Sequence, residues 1–156
     1  MEASRTPEDV LEELRAGYRR YLEEVVERRG SAIGDAFSNL LRPEGNPRVN
    51  ELVNTFAHTL PAWVEELAGL LAGETPEEAD RLAGEALELM LFAPPPADRS
   101  LELYVAAFEG HAAPLLPFLE PSHRIRLSER YRRRNPPRRM LPCQKKLWKA
   151  MTARRD

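Results

Sequence analysis

Residues 6–29 read TPEDVLEELRAGYRRYLEEVVERR and carry the clearest helix signal in the chain. The first four of them supply a hydroxyl that can cap a helix, a proline suited to its first turn, and two acids facing the positive end of the helix dipole. Apolar side chains then recur every three or four residues from Leu11 to Val25. The pattern predicts an amphipathic helix over about residues 7–29 whose apolar face packs on a partner helix.

The same periodicity predicts four more helices along the chain. They fall at about residues 31–41, 48–72, 76–92 and 100–109. Pro61 lies inside the third pattern and removes one backbone hydrogen bond, which predicts a kink near His58 or two consecutive helices. We expect His58 itself to be a partly buried, hydrogen-bonded side chain.

Strand signals are absent from the sequence. It contains no alternating run rich in Val, Ile or Thr, and no Asn-Gly or Asp-Gly hairpin turn. The predicted fold class is therefore all-α: a single helical bundle of about five helices over residues 6–120, with a basic helical C-terminal extension.

The bulk composition is that of a globular protein. A chain of 156 residues with 42% hydrophobic and 31% charged residues can bury a core without disulfides or metal. Its single cysteine, Cys143, cannot form an internal disulfide, which favours a reducing compartment. Since no apolar run reaches the roughly 20 residues that cross a bilayer, and the N-terminus is polar and acidic, the sequence predicts a cytoplasmic protein.

Charge is distributed very unevenly between the two ends of the chain. Residues 121–156 contain 13 Lys and Arg against two acids, Glu129 and Asp156, whereas residues 1–120 contain 10 Arg against 23 acids. The overall net charge of −2 therefore conceals an acidic part and a basic part. This change in charge divides the chain into an acidic helical bundle, 1–120, and a basic, proline-segmented helical tail, 121–156.

The basic tail has the pattern of two short helices. The first runs from about Ser122 to Arg134 and ends at an Asn-Pro-Pro break, and the second begins at Pro142. In the second helix, Leu147, Trp148 and Met151 share one face.

Nucleic acid is the partner that this tail fits best. Ten of its 13 cations are arginines, which suit bidentate phosphate contact, and two aromatic residues lie among them where they can stack on unpaired bases. We therefore interpret the chain as a nucleic-acid-binding accessory protein acting on RNA or single strands. The predicted binding residues are Arg130, Tyr131, Arg132, Arg133, Arg134, Arg138, Arg139, Lys145, Lys146, Trp148 and Lys149.

Two other uses of the same charges remain open at this stage. In one, the basic tail docks on the acidic body of another copy and the chain is a protein-interaction or homo-oligomeric assembly module. In the other, residues 140–155 lie as a basic amphipathic helix on an anionic membrane surface.

The sequence offers no constellation for catalysis, cofactor binding or metal binding. The one Glu-x-x-His pair, Glu120 and His123, spans a predicted helix boundary and has no second copy. Cations near Cys143 favour a reactive thiolate, while an incidental cysteine is the simpler interpretation. We predict no cofactor, no metal site, no catalytic residue and no small-molecule substrate.

Overall fold

The computed structural model describes residues 5–26, 47–94 and 101–152. Every regular element in these ranges is helical, and none of the described residues forms a strand. The all-α class is thus confirmed. The helix predicted at residues 31–41 lies outside the described residues.

Within the described ranges, six α-helices are connected by short 3₁₀ segments and one π-helical turn. The α-helices are α1 (Pro7–Tyr21), α2 (Pro47–Leu71), α3 (Pro76–Phe92), α4 (Leu101–Ala107), α5 (Pro121–Arg134) and α6 (Pro142–Thr152). The π-helical turn Leu22–Val26 extends α1, and the 3₁₀ segments are Glu109–His111, Ala113–Phe118 and Pro137–Arg139.

Side-chain caps fix the starts of α1 and α3, as the sequence predicts. The Thr6 hydroxyl accepts a hydrogen bond from the backbone N–H of Asp9, and the Asp9 carboxylate accepts one from the N–H of Thr6. These bonds lower the pKa of Asp9. Thr75 caps α3 in the same way through the N–H of Glu78. Capping of this kind stabilises a helix by about 1 kcal/mol.

Helix α2 continues through Pro61 as one element of 25 residues. The alternative of two consecutive helices is therefore wrong. The burial predicted for His58 is also wrong, because the residue is exposed. Its position on α2 lies beside the apolar stripe and not within it.

The bundle core forms where α1 packs against α2 and α3. Most of the described apolar residues that the helical spacing selected are buried there. An aromatic cluster extends this core toward α4, with the rings of Tyr18 and Phe56 4.8 Å apart and those of Tyr104 and Phe108 4.9 Å apart. Buried on the three helices are Val10, Leu11, Leu14, Tyr18, Tyr21, Val53, Phe56, Leu60, Val64, Leu67, Leu71, Ala79, Leu82, Ala83, Ala86, Leu87, Met90 and Leu91.

The two C-terminal helices pack against the bundle and share its core. Leu127 and Tyr131 of α5 and Leu147 and Met151 of α6 are all buried in the same apolar cluster as the bundle residues. Helices α3 and α5 approach closely at Gly84, where an added Cβ would lie 2.5 Å from Cε1 of His123. The basic segment is therefore an integral part of the packed structure.

Candidate nucleic-acid interface

Helix α5 orients the basic segment by burying one edge and exposing the other. Pro121 occupies its first turn, and Leu127, Ser128 and Tyr131 form the buried edge. The exposed edge contains Arg126, Arg132 and Arg133, with further cations on the 3₁₀ turn and α6. Spacing within each helix thus separates residues that hold the fold from residues that face solvent.

Two of the predicted phosphate ligands stabilise the fold instead. Both guanidinium N–H groups of Arg130 donate to the Glu88 carboxylate, one at 3.0 Å, and the Arg130 guanidinium lies 4.5 Å from the centre of the Phe92 ring. Arg134 donates to the carbonyls of Phe92 and Ala93, each at 2.9 Å, at the C-terminal end of α3. A cation at that end satisfies carbonyls that lack intrahelical partners. These two arginines therefore fasten α5 to α3.

Tyr131 is not accessible to a ligand, because its ring is enclosed by the core. It is 0% exposed, and its hydroxyl donates a 2.7 Å hydrogen bond to the carboxylate of Glu109, which is itself only 3% exposed. A base has no access to this ring for stacking. The aromatic residue that the sequence placed among the arginines lies on the inward edge of α5, where an apolar ring with one polar group suits a half-polar core.

Glu109 is the centre of a buried polar network between the bundle and α6. Burial raises the pKa of its carboxyl group, against the opposing effects of the Tyr131 hydroxyl, Arg134 and the Gln144 amide. The Gln144 amide also donates to the side-chain oxygen of Asn135 at 3.2 Å and accepts from the backbone N–H of Leu141 at 2.9 Å. The network fixes the angle at which α6 leaves α5.

Eight further cations that the structure describes in this segment face solvent, whereas Arg124 is buried. All eight are exposed, and none makes an ion pair within the part of the chain that the structure describes. They are Arg126, Arg132, Arg133, Arg138, Arg139, Lys145, Lys146 and Lys149. We refer to these eight residues as the basic surface.

An open cleft of about 460 Å³ lies between α5 and α6 beside the basic surface. Its walls include Ile125, Glu129, Arg132, Arg133, Trp148 and Thr152. Trp148 is half-buried, and Ile125 is 53% exposed, an unusual apolar side chain on so charged a face. Of the two predicted stacking residues, Trp148 is thus the one that reaches an accessible site.

Ile125, Glu129 and Thr152 were not among the residues predicted from the sequence. Ile125, Glu129 and Arg132 follow one another at helical spacing, and so do Trp148 and Thr152, so each wall of the cleft is visible as a helix face. The pairing of the two faces is not visible in the sequence, because it depends on how the Pro-Pro break and the Glu109 network set α6 against α5.

Other candidate chemistry does not converge in the described residues. No group of three or more His, Cys, Asp or Glu among them is placed to hold a metal ion. His123 of the Glu-x-x-His pair contacts the Asp80 carboxylate through Nδ1 at 2.9 Å, and Asp80 also accepts the backbone N–H of Glu120. Cys143 is a free, half-buried thiol that packs against the core. No described helix has the length and apolar character needed to cross a bilayer.

No protein-family model, curated protein or solved structure matches this chain. The function of the chain is therefore inferred from its own residues and their geometry.

Proposed function

We propose that this chain binds nucleic acid through the basic surface, with RNA or other single strands as the favoured ligands. The observation that carries the proposal is the set of eight exposed cations without ion-pair partners among the described residues, placed beside an aromatic cleft. Like charges held this close repel one another, and a polyanion relieves that repulsion while releasing counterions. In the reducing cytoplasm that we propose for the chain, Cys143 would remain a thiol.

The composition of the basic surface suits a phosphate backbone. Five of its eight cations are arginines, whose planar guanidinium groups bind phosphate oxygens in pairs. The exposed Lys145, Lys146 and Lys149 add point charges along α6. The fold has already used Arg130 and Arg134, so the proposed contact set is smaller than the sequence suggested and lies on one defined face.

The acidic body offers less to a homo-oligomeric assembly than its charge implies. Several of its carboxylates already pair with arginines of the same body: Arg5 with Glu13 and Glu66, Arg15 with Glu12 and Glu85, and Arg81 with Glu8, Glu78 and Glu85. Docking of a basic segment from another copy would have to displace these pairs or use the carboxylates outside them. Nucleic acid brings unpaired anions and needs no such exchange.

A membrane-surface role finds little support in the last helix. Leu147 and Met151, which would enter the lipid, are buried in the core of the chain itself. Only Trp148 of the predicted apolar face is partly accessible. An amphipathic helix whose apolar side is already packed has little area left to insert.

The test is a salt titration of binding to a labelled single strand, with point variants in place of truncation. Removing residues from Ser122 onward would strip Tyr131, Leu147 and Met151 from the core, so a shortened chain is not a usable control. For about six neutralised phosphates, the log–log salt slope is expected near −4 to −5. Lys145→Gln with Lys146→Gln should reduce that slope by about 1.4 for a single strand.

The matched control makes the same change in net charge on α1, outside the basic surface. Arg19→Gln with Arg20→Gln removes two cations from α1 and should leave the slope unchanged. Equal effects of the two double variants, or no binding at low salt, would overturn the proposal. If salt changes the oligomeric mass in light scattering without nucleic acid, and the lysine double variant abolishes that change, homo-oligomeric assembly replaces nucleic-acid binding as the proposed function.

A further inference from the structure

We infer that the cleft between α5 and α6 is a pocket for one unpaired nucleobase, so that the chain discriminates single strands from duplex. This inference rests on the proposed function and names the part of the ligand that the cleft takes. The basic surface explains attraction to any phosphate backbone. The cleft adds groups that a phosphate does not use.

The apolar groups of the cleft indicate a planar, uncharged ligand. Trp148 contributes an indole to the wall, and Ile125 exposes its aliphatic side chain opposite a charged rim. An indole stacks on any base, and alkyl groups pack on base and sugar carbons. Apart from the indole N–H, these two side chains offer nothing favourable to a phosphate oxygen.

The charged groups of the cleft are arranged for a base flanked by phosphates. Glu129 shares the cleft with Arg132 and Arg133. A carboxylate repels phosphate but accepts hydrogen bonds from the N–H groups on the edge of a base. The two arginines, which make no ion pair within the described residues, are free to hold the phosphates on either side. A base inside the cleft with its phosphates at the rim would contact all three side chains, Glu129, Arg132 and Arg133.

Duplex cannot supply such a ligand. In a duplex the base faces are stacked and the Watson–Crick edges are paired, so only an unpaired base presents both a free face and that edge to a protein. The cleft is therefore expected to add affinity for single strands and none for duplex. Phosphate contacts elsewhere on the basic surface serve both.

The experiment compares one sequence as a single strand and as a duplex of equal length. In a Trp63→Phe background, Trp148 is the only tryptophan, so its fluorescence reports occupancy of the cleft directly. The single strand should quench it strongly and the duplex weakly. Trp148→Ala should weaken single-strand binding about 5- to 100-fold, the contribution of one stacked base, and leave duplex binding unchanged.

Trp148→Phe provides the matched control, because it keeps an aromatic face and the contact with the core. It should retain most of the single-strand affinity, and unchanged duplex binding by Trp148→Ala shows that the Ala variant is folded. The inference is overturned if Trp148→Ala affects neither ligand or both equally. If that result is found while the Lys145→Gln, Lys146→Gln variant still weakens binding of single strand and duplex, the proposed function holds without the base pocket. If neither ligand binds at low salt, the proposed function and the base pocket are both wrong.

Discussion

The bundle helices and the C-terminal helices deal with charge in opposite ways. On α1 and α3, arginines lie among carboxylates, and the hydrogen bonds that Arg81 donates to Glu78 and Glu8 raise the pKa of Arg81. On α5, Arg130 bonds to Glu88 and Arg134 to the Phe92 carbonyl, whereas the eight cations of the basic surface make no ion pair within the described residues. The carboxylates beside the bundle arginines offset their charge, whereas the cations of the basic surface have no ion-pair partner among the described residues.

The bundle and the C-terminal helices also differ in the kind of contact that they make in the core. The bundle side is aromatic and aliphatic, and the Tyr18 hydroxyl has no hydrogen-bond partner within the described residues. The C-terminal side is joined through the Glu109, Tyr131 and Gln144 network. Directional bonds fix orientation more narrowly than apolar packing does, and the geometry of the cleft depends on that orientation.

The largest expected effect tests whether the two regions unfold together. Leu147→Ala should lower the free energy of unfolding by about 2–5 kcal/mol, because it opens a cavity in the shared core, and Leu67→Ala in α2 should cost a similar amount. Urea unfolding is followed by fluorescence of Trp63 and of Trp148 in single-tryptophan variants. An early transition seen only at Trp148 would show two separate units.

Removal of one hydroxyl distinguishes the two cores. Tyr131→Phe leaves the buried Glu109 carboxylate without its donor and should cost about 1–3 kcal/mol. Tyr18→Phe removes a hydroxyl without a described partner and should be neutral or slightly stabilising. Both are measured by urea unfolding, and equal losses in the two variants would contradict this distinction.

The close approach of α3 to α5 is tested at Gly84. Gly84→Ala places a methyl group against the His123 ring, which is held by Asp80, and should cost about 1–3 kcal/mol. Gly69→Ala on α2 has nothing within 4 Å and should stabilise the helix by up to about 1 kcal/mol. Thermal unfolding of the pair gives the answer; a stabilised Gly84→Ala would mean that the helices are further apart.

The buried carboxyl group predicts a pH dependence of opposite sign to that of a paired acid. Since burial raises the pKa of Glu109 in the folded state above 4.5, its contribution to stability is complete below pH 4.5 and is lost as pH rises through the folded-state pKa. Glu109→Gln should remove this loss, so the stability difference between the two proteins should change over that window. A pH-independent difference would show that the carboxyl group titrates as in the unfolded chain.

The smallest effect contrasts two arginines two positions apart. Arg130→Gln loses the Glu88 pair and the Phe92 contact and should cost up to about 1 kcal/mol of stability. Arg132→Gln should change stability by less than about 0.5 kcal/mol and weaken nucleic-acid binding instead. Unfolding and binding are measured in parallel for both variants. If both lose nucleic-acid binding and neither loses stability, Arg130 belongs to the nucleic-acid interface.

The sequence alone determined the helices and the faces they bury. Caps at Thr6 and Thr75, helical spacing of apolar residues and proline breaks are local features, and local hydrogen bonds and solvent exclusion act on them wherever the helix lies. The net charge of each segment is likewise a property of composition. For the same reason, the basic character of the C-terminal segment could be predicted.

Only the tertiary structure decided which basic and aromatic residues remain available. Tyr131 and Trp148 look alike among their neighbours in the sequence, yet one is enclosed beside Glu109 and the other lines a cleft. Arg130 and Arg132 differ as sharply. These outcomes depend on contacts between residues some 20 to 40 positions apart, and no local pattern records which carboxylate or carbonyl another helix will bring into reach.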